Sequence, residues 1–468
     1  MRKRRALPGF RLLIAVGALA MLGLGAGAAV PDSASAEGPN GGNQNVCLGG
    51  VKTPDPNTTD DVVVQTCTIT AAVGTCIQHS SAPKVEQRCT FNQTSPLASN
   101  KRAIAIQIHN PEGFDEAQDG TQVITATQGN TNKNNFLDAL QIADQCQGTG
   151  DRYEGASGDR YDIDRDGDRD DDGRCEDEDE QDNDDEERAE DRSALSVPSP
   201  ITQTQEAHQS IDGIQTATGI GRNESKALQY QHLHQRASNA PAIFQSQNVE
   251  DRGNECSFLV FVDSNACYTI EQNAENGANV SRLYQIYNLF QSARNTDGGQ
   301  QAQGSFEPFF GGLSHGFDQS NSGTTVPAGT PIQTSSQNER MTQRRDDTGS
   351  MTWHQHGPLR KDVGVQTGGK GGTANIRQDS VLSSKGGGTG NQTDLLDIEC
   401  ASFSGNCTGF QHARLTDDQR TVDRTNGPVT APAISMTINC GNVYPPGEYG
   451  SPPPEECVAT GGAVPLPD

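Results

Sequence analysis

The sequence predicts a mainly β protein of repetitive Gln/Asn-rich strands, solenoid-like in arrangement, with local disulfides and extensive disordered or low-complexity segments. Three observations carry that expectation. Leu, Ile, Val and Phe supply 72 of the 432 residues that follow residue 36. That is below the level of roughly one-fifth under which a charged chain lacks the material for one large dry core. Asn and Gln recur at fixed six-residue steps, and twelve cysteines include several that lie close together in sequence.

The elements follow in chain order. Arg2, Lys3, Arg4 and Arg5 precede an apolar run from about Leu12 to Val30 and the small residues Ser33, Ala34, Ser35 and Ala36. Basic, apolar and small-residue regions in that order form a secretory signal over residues 1–36, which implies a secreted or cell-surface protein with no membrane span in its mature part. Residues 37–60, rich in Gly, Asn and Pro, read as a flexible lead, followed by an N-terminal β repeat region over 61–147. An acidic connector occupies 148–199. A central Gln-rich repeat region spans 200–345, a Gly- and Gln-rich β region 346–444, and a Pro-rich tail 445–468. Strand text is densest at Val62 to Thr70, Ala103 to Ile108, Ser257 to Val262 and Ala433 to Ile438, where β-branched residues alternate with polar ones between Asn, Gly and Ser turns.

Repetition is the most informative feature. Asn135, Gln141 and Gln147 share their spacing with Asn223, Gln229 and Gln235 and with Asn279, Gln285 and Gln291, and a further Gln lies upstream of each set at 128, 215 and 272. A looser copy has Gln93, Asn100 and Gln107, and later Gln residues at 319, 333, 343, 355, 366, 378 and 392 keep similar steps. Six is even, so on a strand these side chains share one face, whereas on a helix six residues turn by about 600° and place them on nearly opposite faces. The spacing therefore predicts strands with Asn223, Gln229, Asn279 and Gln285 inward. Leu137, Ala139, Ser225, Ala227, Ser281 and Leu283 fall on the same face. Stacked amides can then donate to one neighbour and accept from the next. Residues 279–291 carry a competing helical pattern in Val280, Leu283, Tyr284, Tyr287 and Phe290.

The pattern Gln272, Gly277, Asn279, Ser281 and Gln285 resembles the curlin repeat of bacterial amyloid fibre subunits, over 60 to 80 residues of the chain. The Gln-to-Asn gap is longer here, and the cysteines are a further departure. The resemblance implies a stacked β-solenoid with a surface or matrix role.

An even cysteine count in an exported chain favours oxidation. Cys67 with Cys76, Cys256 with Cys267, Cys400 with Cys407, and Cys440 with Cys457 are near neighbours in sequence, and local bridges are expected, with bonds predicted for Cys256–Cys267 and Cys400–Cys407. Sequence alone leaves the full connectivity open. Cys89, Cys267 and Cys407 each shortly precede a Gln of the pattern and follow an earlier Cys, which suggests a stapled turn feeding each strand.

The formal net charge is −26. The acidic connector concentrates much of it, with 22 Asp or Glu against 7 Arg in residues 151–192. Such a field disfavours nucleic acid and anionic membrane and favours cations. Within it Asp162, Asp164, Asp166, Asp168 and Asp170 surround Gly167 as in the opening of a calcium loop, because alternate carboxylates about a Gly turn supply several hard oxygens from one short segment. The twelfth position is Gly173 where an EF-hand has Glu, so the stretch is more similar to the Asp-rich loops of thrombospondin type 3 repeats or dockerin modules. Calcium is the one cofactor expected.

His232 with His234 and His354 with His356 form HxH pairs without a third ligand at a recognisable spacing. Gly364 to Lys370 begins as a phosphate loop but continues with Gly371 in place of Ser or Thr. No G-x-S-x-G or H-E-x-x-H occurs, and few apolar residues are available to wall a pocket. The functional expectation is a non-enzymatic surface or extracellular-matrix protein acting in assembly or adhesion, through self-association or other cell-surface components. The alternative is a secreted calcium-dependent ligand- or carbohydrate-binding β module.

Overall fold

A computed structural model describes residues 43–52, 62–94, 99–113, 117–148, 199–248, 266–304, 313–321, 332–346, 350–363, 373–402, 405–417, 421–444 and 457–466. The signal expected over 1–36 and the Asp162 to Asp170 loop lie outside them. The described residues belong to one compact unit, Glu37–Thr149 with Ser196–Asp468.

Every regular element among the described residues is a strand. They form two sheets, and the chain passes back and forth between them, each central coil giving one strand to the first sheet and one strand or two short ones to the second. The first sheet runs, in spatial order, through Gln44–Leu48, Val73–Ser80, Lys101–His109, Asn135–Gly148, Asn223–Ala240, Asn279–Thr296, Ile332–Asp346, Thr373–Lys385, Asn406–Thr416 and Thr421–Ala431. The second runs through Gly50–Lys52, Val63–Ile69, Lys84–Gln93, Gln118–Thr131, Ile201–Thr218, Ile243–Asn248, Gly298–Gly304, Ser350–Val363, Thr389–Ala401, Ala433–Tyr444 and Val458–Ala463. Ala266–Ala274 and Leu313–Asn321 extend this sheet, pairing with Ile201–Thr218 and Ser350–Val363 respectively. Neither sheet closes, and successive coils pair in parallel, which is a solenoid-like arrangement.

Alternation decides which side chains enter the stack. Gln118–Thr131 alternates buried and half-exposed residues along nearly its whole length, as period two requires of a strand with one packed face. The inward apolar residues form stripes that run from coil to coil. One contains Ile69, Phe91, Ile124, Leu137, Ile211, Leu283, Ile376 and Ile398 from both sheets, and a second contains Leu233, Tyr287, Met341, Leu382, Leu396 and Leu415.

Between these stripes lie rows of amides. In the first sheet Gln78, Gln107, Gln141, Gln229, Gln285, Gln337, Gln378 and Gln411 occupy one register column. Each Nε2 donates to the Oε1 of the preceding Gln, at 3.0 Å for Gln107 to Gln78, 2.9 Å for Gln229 to Gln141 and 2.8 Å for Gln378 to Gln337. In the second sheet Gln118, Gln205, Gln247, Gln303, Gln355 and Gln392 form an equivalent row with distances of 2.7 to 3.0 Å. The amides also tie one sheet to the other: Gln141 Nε2 donates to the Gln122 carbonyl and Gln122 Nε2 to the Ile142 carbonyl. A chain poor in apolar residues thereby fills much of its interior with amides bonded to one another, each bond contributing about 0.5–1.5 kcal/mol net and costing more when left unmade.

The predicted repeats fall into register. Asn135, Asn223 and Asn279 stack, with donor to acceptor distances of 2.8 and 2.9 Å, as do Gln147, Gln235 and Gln291. Gln128, Gln215 and Gln272 form their own row in the second sheet. Asn223, Gln229, Asn279 and Gln285 are buried, together with the predicted same-face residues from Leu137 to Leu283. Residues 279–296 are strand, so the competing helical spacing does not decide that segment. Leu283 and Tyr287 point inward, while Tyr284 is exposed. The looser copy differs at one point: Lys101, and not Asn100, is level with Asn135.

Cystines mark both ends of the stack. Cys47–Cys67 and Cys76–Cys89 have Cα separations of 5.6 and 6.0 Å, and Cys400–Cys407 and Cys440–Cys457 of 6.1 and 4.0 Å. The Cys400–Cys407 bond is as predicted and Cys440–Cys457 is the local pair expected, whereas Cys256 of the other predicted bond lies outside the described residues. Cys67 and Cys76, neighbours in sequence, do not pair. Cys47 stands beside Cys76 in the first sheet and Cys67 beside Cys89 in the second, so each bridge crosses from sheet to sheet instead of following the chain.

The terminal strands reverse direction. Gln44–Leu48 and Gly50–Lys52, within the segment read as a flexible lead, pair antiparallel with the first coil. At the other end Thr421–Ala431, Ala433–Tyr444 and Val458–Ala463 all pair antiparallel; the last of these lies in the Pro-rich tail. Thr373–Lys385, in the Gly- and Gln-rich β region, is a strand whose inward face is supplied by Ala374, Ile376, Gln378 and Leu382.

Candidate functional site

Asp119, Glu206 and His208 form the one group of three metal-capable side chains found among the described residues, with their ligand atoms all within 4.8 Å of one another. They lie on the outer side of the second sheet. Glu206 is directly opposite Asp119 in the parallel register, and His208 follows two residues along the same face. His208 Nε2 is 3.8 Å from Glu206 Oε2, and the imidazole is 7% exposed against 36% for the carboxylate. Two carboxylates and one imidazole are a donor set that suits a divalent ion such as zinc or manganese. Each of the three also has further polar contacts, which is the arrangement of an ordinary outer-face polar network as well. Reading the sequence linearly misses this group, since its members sit on either side of the acidic connector, and register alone brings them together.

The HxH pairs behave as period two dictates, with both rings of a pair on the outer face, but the rings turn to separate partners. His232 Nδ1 lies 3.0 Å from Asp144 Oδ1 on the preceding coil. His234 packs on the Phe290 ring with centroids 4.4 Å apart, and burial, with His232, Arg236 and Arg344 nearby, holds its pKa well below the usual histidine value. His354 faces Asn391 and His356 faces Thr393. Neither pair gathers a third ligand among the described residues. Gly364 to Lys370 and the five aspartates from Asp162 to Asp170 fall outside the described residues.

A different histidine is built into the interior. His109, fully buried, donates from Nε2 to the Ala82 carbonyl at 2.9 Å and receives the Gln145 amide at Nδ1, 3.4 Å away. Burial lowers its pKa to about 4, with the Ala82 carbonyl opposing and His79 adding to the shift. Its ring occupies the space where a Cβ on Gly120 would stand, only 2.1 Å from Nδ1. The neutral ring is a structural part of the coil and offers no lone pair to a substrate.

No family model, curated protein or solved structure matches this chain.

Proposed function

We propose that this chain is a secreted, non-enzymatic surface or extracellular-matrix protein that acts in adhesion and assembly through the outer faces of its stacked coils. The observation that supports this reading is the continuous amide column from Gln78 to Gln411. The inward side chains are committed to holding one coil on the next, which leaves outward residues to meet partners. Cystines fit an oxidising compartment, and no helix among the described residues is long and apolar enough to cross a membrane.

The resemblance to curlin subunits favours a fibre that grows by adding coils at its ends. The antiparallel terminal strands favour a limited assembly instead. Thr421–Ala431 places Asp423, Arg424 and Pro428 on an edge, with a register shift between Gly409 and Gln411; charge, proline and bulges all discourage strand addition. Self-association would then use the sheet faces. Electron microscopy of the purified mature protein, with and without calcium, tests this directly. Discrete particles or side-by-side clusters are expected, and long unbranched fibres elongating end to end would overturn the lateral reading.

The Asp119, Glu206 and His208 group favours the second reading, a calcium- or metal-dependent ligand-binding β module. Binding of a glycan or surface ligand abolished both by chelation and by Asp119→Asn would select it.

A further inference from the structure

Two carboxylates face each other inside the stack. Glu339 projects inward from Ile332–Asp346 in the first sheet and Asp394 from Thr389–Ala401 in the second, and they are 3% and 1% exposed. A Cβ on Gly357 would stand 2.9 Å from Glu339 Oε2 and 3.2 Å from Asp394 Oδ1, so both groups border one small space that the glycine keeps open. Ser380 Oγ lies 3.4 Å from Glu339 Oε2. Glu339 Oε1 has no hydrogen-bond donor among the described residues, and the donors nearest Asp394, the Ser380 hydroxyl and the Leu395 backbone N–H, lie outside good hydrogen-bond geometry to its oxygens. None of their described register neighbours is a cation: these are Tyr287 and Ser380 beside Glu339, and Gly357 and Cys440 beside Asp394.

Such a pair is costly unless something positive sits between its members, because each buried carboxylate loses several kcal/mol of hydration. Most inward polar positions elsewhere in the stack are amides, which can donate to one another and accept in turn, whereas two ionised acids at adjoining positions can only accept. The oxygens available are the two carboxylates and the Ser380 hydroxyl. These supply at most five oxygens, so water or a backbone carbonyl must complete the six to eight that calcium takes at about 2.3–2.6 Å; the irregular set with a net charge of −2 suits calcium better than magnesium, which demands near-ideal octahedral geometry. Cys440 is in a disulfide and offers no thiolate to a softer metal.

We propose that Glu339, Asp394 and Ser380 hold a calcium ion inside the solenoid, at the space left by Gly357. The ion is structural and joins the two sheets beside the amide rows, two residues along from Gln337 in one sheet and from Gln392 in the other. The same crowding shows in the ionisation of the pair: burial, with the opposing Asp394 charge, raises the pKa of Glu339 well above the carboxylate range, and burial raises that of Asp394 to about 7 against the opposing influence of Ser380 and the Leu395 backbone.

The test uses the full chain, unfolded and refolded with its disulfides intact, in chelator or in millimolar calcium. At pH 8 the expected result is a thermal midpoint several degrees higher with calcium, and one more bound calcium per chain than in Glu339→Gln/Asp394→Asn. The shift should persist in a chain carrying Asp162→Asn, Asp164→Asn and Asp166→Asn, which removes the acidic-connector loop. Equal calcium content and equal shifts in the wild type and the Glu339/Asp394 variant would overturn the proposal. If that variant does not fold, the connector variant decides alone. A thermal midpoint at pH 8 that is the same in chelator and in millimolar calcium would also overturn it.

Discussion

Gln229 shows what one residue does in this fold. Its Nε2 donates to Gln141 and its Oε1 accepts from Gln285, at 2.9 and 2.6 Å. Gln229→Leu keeps most of the volume but leaves a buried donor on one coil and a buried acceptor on another, so it should cost about 2–4 kcal/mol, measured by denaturant unfolding. Asn426→Ala, at the half-exposed end of the same column, should cost about 1 kcal/mol or less because water replaces the lost contact. His109 supplies a titratable counterpart. Its folded pKa of about 4 lies below the unfolded value, so the stability it confers is complete above about pH 6.5 and is lost as pH falls toward 4. The total is about 3 kcal/mol. His109→Gln should flatten the difference in stability between pH 6.5 and 4 relative to wild type, seen by comparing unfolding curves across that range. A parallel pair of curves would show that His109 does not set the acid limb.

At the scale of elements, strands are held by what crosses between sheets. Cys76–Cys89 closes a 13-residue separation between the first sheet and the second. Replacing both residues by Ser should cost about 3 kcal/mol and loosen the N-terminal coils first, detectable as faster amide exchange in 63–93 than in 373–416. The fit of sheet to sheet is equally strict at Gly120, where the His109 ring leaves no room for a side chain. Gly120→Ala should destabilise by about 1–3 kcal/mol, the usual range for overpacking, and a neutral result in thermal unfolding would show that the ring can move aside.

For the stack as a whole, the amide columns raise the question of why growth stops. Each coil presents Gln residues ready to receive another, and an exposed parallel edge would be a template for a second copy. The reversed terminal strands cover those edges. Truncation after Thr416 removes Thr421–Ala431, Ala433–Tyr444 and Val458–Ala463 and exposes both Thr389–Ala401 and Asn406–Thr416. Concentration-dependent association is the expected outcome, read by light scattering, with the intact chain unchanged under the same conditions. A truncated chain that stays monomeric would remove this account of the caps.

The sequence by itself determined the strand type and the inner face. Six-residue spacing of Asn135, Gln141 and Gln147 and of their two copies admits only period two, and low apolar content required another way to fill the interior. It also determined the bond between Cys400 and Cys407, which are seven residues apart and leave little room for another partner. Tertiary structure decided what sits level with what. Successive members of the Gln column are separated by 29, 34, 88, 56, 52, 41 and 33 residues, because coils differ in strand length and in the segments inserted between strands. No fixed period therefore exposes Gln337 or Gln411 as members. The same physics hides Cys47–Cys67, the Asp119, Glu206 and His208 group, and the meeting of Glu339 with Asp394. Register is set by the packing of a whole coil on its neighbour, and contacts across it depend on the sum of all the lengths between.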